Sequence, residues 1–558
     1  MPRRFWASME NESLGNFLAQ HEPPTSPDAP SGPAAAGRQR LAAAVVAVSV
    51  ITIVGKIAGF AEKVAVAHFF GTTGSADVYF AVMAILWSAV FLARELALPS
   101  LLPVFRAGML KGSALAGGIF RGAFLAALGL SLFVVVAVAL LGGRFVALAL
   151  PGFKAAQSAG AVHLLRLAAP ALICLLPMVV TYTCLNARKK FAASAFGESL
   201  FKILLVAGVV LTVPRFALAG VGPVIAVSAL VALSFHLWFV PDRRYVLRPF
   251  ECAPAEQEYR SIWHLVQPLI VGVTLSHVAA LVANTLASTL PSGSLSYLNY
   301  GRKLVDGILT VGPVAVVTVV YSHMAHLNAE GKRDDMSRMA ARTARLLVYL
   351  GVPLACVVIQ LRFPLVRMLF QHGRFDEAST AGTAGALLVY APGIVVFALE
   401  GLLVYSFYAM SDTRTPVLLG IAFVAVDIAL ALVLMRPWGY IGIAAAHVSA
   451  KAAKTACLAL LLRKKLPSLW TTGAPSFILK LSAAAAGLWL AAGLSGRMLA
   501  PRERAAAGVP DFIVPAAVGV SAFAVISYLL GLEEPGQLAA MVKEGTKRGF
   551  RRVNRAPR

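Results

Sequence analysis

The stretch GFAEKVAVAHFFGTTGSADVYF, Gly59 to Phe80, decides how the rest of the chain is read. The residues around it are apolar enough for a membrane-crossing helix. Yet Glu62, Lys63, His68 and Asp77 sit within it, and Lys56 lies just before it. The turn Gly71-Thr72-Thr73-Gly74 ends one span and opens the next. An ionisable group facing lipid at mid-span costs ~2.5–3.5 kcal/mol on translocon scales, so such groups face a bundle interior, a cavity or a partner. Lys56 and Lys63 are seven residues apart and share a helix face. Glu62 and Lys63 point about 100° apart, so they make poor partners, and Lys56 is the longer-reach contact expected for Glu62. Asp77, just after the turn, is expected to cap the second span.

Outward from this stretch the composition points the same way. Of 558 residues, 58% are hydrophobic and only 14% charged, where a soluble domain carries about 25%. Apolar runs of roughly 20 residues recur along the chain, as spanning helices require. The short alternating segments of a β-barrel are missing. The predicted class is an all-α integral membrane protein with about fourteen transmembrane helices. They start near residues 42, 77, 117, 160, 191, 217, 263, 294, 343, 378, 417, 439, 475 and 511.

Residues 1–40 differ in kind. HEPPTSPDAPSGPAAAGRQR is rich in Pro, Ser, Gly and Ala and reads as a disordered tail. No apolar run follows Met1-Pro2-Arg3-Arg4, so no cleavable signal peptide is expected. The five cysteines, Cys174, Cys184, Cys252, Cys356 and Cys457, have neither disulfide nor zinc spacing, and no metal or cofactor is expected. The net charge of +24 does not mark a nucleic-acid partner, because the basic residues sit in short loops between spans. Alternate loops and both tails hold 30 Lys and Arg; the opposite loops hold nine. The positive-inside rule then places both termini in the cytoplasm. The C-terminal basic cluster is expected to lie against anionic membrane lipid.

Two distant places read alike. FFGTTGSADVYF has a counterpart in TLPSGSLSYLNYGRKL, with Gly74-Ser75 over Gly293-Ser294 at an offset of 219. VTYTCLNARKK resembles LVYSFYAMSDTR, with Tyr182 over Tyr405 at 223. Near-equal offsets suggest a duplicated six-helix unit, its copies parallel and enclosing a central cavity. The expected organisation is a tail at 1–40, an N-lobe at 41–241 and a cytoplasmic linker at 242–262. A C-lobe at 263–465, helices thirteen and fourteen at 466–532 and a basic cytoplasmic tail at 533–558 follow.

The charges inside spans recur in both halves. Arg94 and Glu95 come before LPSLLP (Leu98–Pro103), whose prolines permit a broken helix. Span eight opens with Arg302, Lys303 and Asp306, spaced for local ion pairs. Lys56, Lys63, Arg94, Arg302 and Lys303 are therefore the candidate cationic wall of the cavity. An anion suits it, and phosphate suits Arg and Lys best. Glu62, Asp77, Glu95 and Asp306 are candidate cavity or gating residues. The bland alternative is internal ion pairing that only locks helices together. Lys202, His277, Glu400, Asp427 and His447 read as interhelical hydrogen-bonding groups. Asp376 is placed to N-cap span ten, and SDTRTP (Ser411–Pro416) does similar work before span eleven, with Pro416 near N1.

FQHGRFDEAST, FYAMSDTRTPV and GFAEKVAVAHFFGTTGSADVYF together resemble the MurJ/MviN family, within the multidrug/oligosaccharidyl-lipid/polysaccharide exporter superfamily. The resemblance runs through about residues 42–465. It implies fourteen helices, two six-helix lobes around a central cationic cavity, and two further helices that supply a groove for a lipid tail. It also implies a monomeric flippase of the bacterial cytoplasmic (inner) membrane with no catalytic residues. The substrate implied is lipid II, the undecaprenyl-diphosphate-linked precursor for peptidoglycan and cell shape, moved by alternating access. The pattern departs at charged positions. Where the family's first span reads G-F-x-R-D, this chain has Gly59-Phe60-Ala61-Glu62-Lys63, with the signs exchanged. Val90 and Phe91 stand where the family carries paired arginines, and Arg94 lies beside the matching Glu95. Lys303 stands at the family's span-eight arginine, and Asp77 matches a family aspartate. The alternatives are a flippase for another lipid-linked oligosaccharide (O-antigen or exopolysaccharide), a transport-inactive scaffold, a membrane-embedded enzyme and a drug exporter.

Overall fold

The computed structural model describes residues 33–247, 250, 253–311, 313–466, 474–499, 509–536 and 538. Most of the predicted N-terminal tail, Cys252 in the linker and most of the basic C-terminal tail lie outside the described residues. The described elements are helices throughout.

The helices run α1 (Pro33–Phe70), α2 (Gly74–Lys111), α3 (Ser113–Ala149), α4 (Ala155–Ala168), α5 (Leu172–Ala187), α6 (Phe191–Phe216) and α7 (Val221–Phe239). After a short linker come α8 (Glu256–Ser288), α9 (Ser294–Val311), α10 (Pro313–Ala329), α11 (Arg333–Gln360) and α12 (Arg362–Phe370). Then follow α13 (Glu377–Tyr390), α14 (Gly393–Ala409), α15 (Arg414–Trp438), α16 (Tyr440–Lys465), α17 (Ala474–Leu499) and α18 (Pro510–Leu529). Among the described residues nine helical segments are long and apolar enough to cross a membrane, or up to eleven if each bent pair is one span. One of the nine, Phe191–Phe239, contains both α6 and α7, which pack on each other. The charge-bearing α1 and the pair α9–α10 stand outside that count. The whole is compatible with the fourteen spans expected.

The first helix begins at Pro33, earlier than the tail boundary read from composition. Pro99 and Pro103 do not break α2, which runs through both. Beside them the Ser100 hydroxyl donates to the Leu96 carbonyl at 2.5 Å, a side-chain brace of the kind that lets prolines persist in membrane helices. The α13–α14 pair bends by 41° at a break that holds Pro392. The short α12 carries no apolar run long enough to announce it.

Helices α2–α7 pack mainly among themselves, with α1 laid along α6. Helices α9–α16 form a second group, with α8 packed between them and α2. The last pair, α17 and α18, pack together and against α11. There Tyr349 meets Phe523 at 5.1 Å and Arg345 reaches Glu534 at 3.0 Å. Outer faces are apolar and uncovered: Phe133, Leu140 and Leu148 on α3, and Leu418 and Val433 on α15, are each more than 60% exposed. A lipid-facing wall requires such surfaces, and a water-facing one rarely presents them on this scale.

The two caps expected in loops are present. Asp376 accepts from the Ser379 amide at 2.8 Å at the start of α13. Asp412 accepts from the Thr415 amide at 3.0 Å before α15, and Pro416 lies in the first turn of that helix rather than at its first residue.

A sealed end and a cationic cavity

The two helix groups meet at one end, and the repeated Gly-Ser turns build the contact. Gly71 takes φ +58 and Gly293 φ +97, backbone regions that residues with a Cβ rarely adopt. A Cβ on Gly71 would fall 2.4 Å from the Arg374 carbonyl oxygen, and one on Gly293 would fall 2.8 Å from that of Thr72. Each turn therefore needs glycine twice over, for its dihedral and for the approach of the other half.

Asp77 corrects the sequence reading. It does not cap its own helix; its carboxylate crosses to the start of α9. It accepts from the Gly293 amide at 2.6 Å, the Ser296 amide at 2.9 Å and the Ser296 hydroxyl at 2.6 Å. This is N-capping in trans: an anion satisfies the free amides at a helix start and complements the dipole there. Further bonds join the halves nearby. The Tyr300 hydroxyl donates to the Gly71 carbonyl at 3.1 Å, Thr72 meets Ser379 at 2.7 Å, and the Arg374 amide donates to the His68 carbonyl at 2.9 Å. Beneath them Tyr300, fully buried, packs edge-on to Phe80 at 4.9 Å and against Phe370 at 5.1 Å and Phe375 at 5.5 Å. Polar bonds and an aromatic plug together close this end.

Below the plug lies a cavity of about 1390 Å³. All five cationic residues singled out in the sequence line it: Lys56 and Lys63 from α1, Arg94 from α2, and Arg302 and Lys303 from α9. Lys202 of α6 is a sixth. The carboxylates lining it are Glu62, Glu198 and Asp306, so the ionisable lining is net +3. Phe60, Trp87, Phe91 and Phe201 add apolar wall.

The pairings differ in part from those expected. Glu62 pairs with its neighbour Lys63 at 2.8 Å, not with Lys56. The Tyr79 hydroxyl donates to the same Glu62 oxygen, and the ammonium of Lys63 stands 5.2 Å from the ring centres of Tyr79 and Phe80. The flexible lysine stem covers the 100° that separates the two residues on the helix. Arg94 reaches Glu198 at 3.2 Å and the Tyr182 hydroxyl at 2.9 Å, its guanidinium 4.4 Å from the Tyr182 ring centre. Lys202 pairs with the same Glu198 at 3.2 Å, within one helix, rather than between helices as its isolation suggested. Arg302 stands 3.9 Å from Asp306, each about half exposed. Neither Lys56 nor Lys303 has a carboxylate within 4 Å among the described residues. Glu95 points away from the cavity and meets His277 of α8 at 3.5 Å. Sequence reasoning missed Glu198; its signal was the four-residue spacing to Lys202.

Two further intramembrane carboxylates make interhelical contacts. Glu400 of α14 binds Lys451 at 3.0 Å and Lys454 at 2.8 Å on α16, and Asp427 of α15 binds His447 of α16 at 2.9 Å. No cluster of three or more metal-ligating side chains occurs among the described residues.

Comparison with known proteins agrees with this geometry. A curated relative, the probable lipid II flippase MurJ of Vibrio cholerae, is 27% identical over 425 residues, covering 73% of this chain and 80% of the relative. A solved lipid II flippase MurJ in an inward closed conformation superposes with a TM-score of 0.72 at 18% identity, covering 87% of this chain and 98% of that one. An inward-facing multidrug resistance transporter of the MATE family and MOP superfamily superposes at 0.63, with 15% identity over 77% of this chain and 100% of its own. The family model for lipid II flippase MurJ matches residues 66–506, and this multi-pass membrane protein belongs to that family.

Proposed function

We propose that this chain flips lipid II, a polyprenyl-diphosphate-linked glycan, by alternating access. The observation that carries the reading is the net-positive cavity sealed at one end by contacts between the two halves. A diphosphate is the anion such a cavity suits, because guanidinium and ammonium groups donate charge-assisted hydrogen bonds to phosphate oxygens. Lys56, Lys63, Arg94, Arg302 and Lys303 hold the headgroup, with Lys202 as a further contact, while the polyprenyl tail stays in the bilayer. Glu62 and Asp306 tune the cavity charge, and Asp77 holds the seal.

The lobes would be residues 41–241 and 263–465, joined by the linker at 242–262, with the helices of 466–532 added outside. With both termini in the cytoplasm, as the loop charges indicate, the sealed end is external and the cavity opens inward. Breaking the seal and re-forming contacts at the other end would expose the headgroup outside. The membrane potential is a sufficient drive, since a charge moved through it gains ~2.3 kcal/mol per 100 mV. Helices of a single chain enclose the cavity, which supports a monomer, and the chemistry asks for no cofactor.

The test is complementation in a cell depleted of its own lipid II flippase, with insertion verified. Growth is expected. Lys56→Glu and Arg302→Glu should each abolish it, because each removes two units from a lining of net +3. Failure of the inserted wild-type chain would point to another lipid-linked oligosaccharide. Growth with both reversals would show that the cavity charges do not hold the substrate.

A further inference from the structure

Outside the cavity, α16 carries a row of ionisable groups on one face: His447, Lys451 and Lys454, spaced for successive turns. Their partners come from two other helices, Asp427 of α15 and Glu400 of α14. Glu400 with two lysines is a charge-compensated anchor. The Asp427–His447 pair is different, because an imidazole is the one side chain whose ordinary titration falls between pH 5 and 8.

The surroundings of this pair connect it to the cavity. The His447 Nδ1 atom meets Asp427 at 2.9 Å, and the ring packs 5.8 Å from that of Phe397 on α14. Arg302 of α9 and Lys451 of α16 lie within electrostatic reach of the imidazole. Arg302 also lines the cavity. Tyr390 of α13, another cavity residue, interacts electrostatically with Arg302, Asp306 and Asp427 at once. The groups around the pair are therefore two cations (Arg302 and Lys451), one carboxylate (Asp306) and a tyrosine (Tyr390), on three helices.

Arg302 is the group common to the cavity lining and the surroundings of His447. With the cavity empty, its positive field opposes a second positive charge on His447. An anion bound to Arg302 cancels that field and makes the protonated imidazole, already beside Asp427, easier to form. Linkage is reciprocal, so a proton on His447 must in turn favour the anion.

We propose that the Asp427–His447 pair is a proton-binding site linked through Arg302 to the cavity, so that an anionic headgroup and a proton bind together. The proposal rests on the anionic-lipid reading above for its ligand. The balance is simple: one proton moves from water to the free imidazole nitrogen as the headgroup enters, and returns when it leaves.

The test uses the full chain in nanodiscs and a polyprenyl-diphosphate sugar as probe. This diphosphate diester keeps its charge from pH 5.5 to 8, so any pH dependence belongs to the protein. Affinity should be about five-fold or more tighter at pH 5.5 than at pH 8, and His447→Gln, which keeps a hydrogen-bonding partner for Asp427, should flatten the profile. An equal pH dependence in both proteins, or none in the wild type, overturns the proposal. Absence of probe binding at every pH would instead defeat the anionic-lipid reading. The pair is then decided by NMR of isotope-labelled histidine. A resonance missing in His447→Gln, titrating between pH 5 and 8 and moving in Arg302→Gln, supports the site. A His447 resonance that does not titrate there overturns it.

Discussion

Replacing Asp77 by alanine tests how the sealed end is held. The carboxylate accepts three hydrogen bonds, all from the opposite half. A hydrogen bond to a charged group contributes ~1.5–3 kcal/mol, and a buried donor left without a partner costs ~1–3 kcal/mol. The bonds share one carboxylate and are not additive. Water admitted by the smaller side chain would also satisfy some of the donors. A net penalty of about 3 kcal/mol on the closed arrangement is the conservative figure, and it moves a two-state equilibrium by a factor of roughly 150. Asp77→Asn should fall between, since the amide oxygen keeps an acceptor while its NH2 faces the same donors. Ser296→Ala, which removes one bond, should cost least. Spin labels at Ala156 and Glu377, exposed residues on opposite halves near the seal, report the opening as a distance distribution by double electron–electron resonance. In a cysteine-free background the wild type should show one short population, and Asp77→Ala a second, longer one. An unchanged distribution in Asp77→Ala, in protein that is still folded, would refute the assignment of Asp77 as the principal clasp.

Gly152 lies at the same end, where an added Cβ would meet the Thr289 Cα at 2.2 Å and the Ser288 carbonyl oxygen at 2.3 Å. Backbone cannot yield as a side chain does, so Gly152→Ala should cost ~1–3 kcal/mol and lengthen the same distance; an unaltered melting temperature and distance would contradict the packing. Asp412 gives a pH signature outside the membrane. Burial pushes its carboxyl up, but hydrogen bonds from Lys465 and Thr415 outweigh this and take it down to about 2. A depressed carboxylate stabilises above its ordinary range and loses that contribution as the pH falls from about 4 through about 2. Asp412→Asn should thus cost on the order of 1 kcal/mol at pH 7, since Lys465 is substantially exposed. The gap to wild type should close in acid, and a gap constant from pH 7 to pH 2 in thermal melts would exclude it. Within the cavity, Lys303→Ala should weaken binding of a polyprenyl diphosphate more than Lys63→Ala, because Lys63 already has Glu62 as partner; the reverse order in a binding titration would mean that Lys63 leaves its partner freely.

The helices and the cationic wall were both legible in the sequence, for one physical reason. Hydrocarbon tolerates neither open backbone nor isolated charge, so apolar runs become helices and charges within them turn inward. Predicted starts at 77, 191, 294, 378, 417, 439, 475 and 511 fall within three residues of α2, α6, α9, α13, α15, α16, α17 and α18. Lys56, Lys63, Arg94, Arg302 and Lys303 reach the cavity because a charge in a span has few other places to go. What stayed hidden was which group each charge would meet. The partners of Asp77 lie 216 and 219 residues away, and only the assembled fold brings them within reach. Helix geometry alone argues against a Glu62–Lys63 pair. That geometry fixes where Cβ points and not where a four-carbon stem ends, and the Tyr79 hydroxyl from α2 fixes Glu62 where Lys63 can reach it. Glu198 is a single carboxylate in α6, and only its four-residue spacing to Lys202 marks it in the sequence.

The exchanged signs at Glu62 and Lys63 bear on how the seal and the cavity communicate. Helices α1, α2 and α9 each carry seal residues at one end and cavity charges further along: His68 with Lys63 and Lys56, Asp77 and Phe80 with Arg94, Ser296 and Tyr300 with Arg302 and Lys303. The Glu62 carboxylate joins the two regions, since it holds Lys63 of the cavity wall and receives the Tyr79 hydroxyl beside the plug. An anion that draws Lys63 away leaves Glu62 buried with one charged partner fewer, and a buried carboxylate that loses its cation is among the costlier states a protein interior can hold. The carboxylate must then draw more from Tyr79, whose neighbour Phe80 packs edge-on against Tyr300. Tyr300 in turn donates across the seal to Gly71. Four side chains in contact, Glu62, Tyr79, Phe80 and Tyr300, thus run from the cavity wall to the plug. The arrangement depends on an acid and a base adjacent in α1, the acid accepting the Tyr79 hydroxyl and the base pairing with that acid.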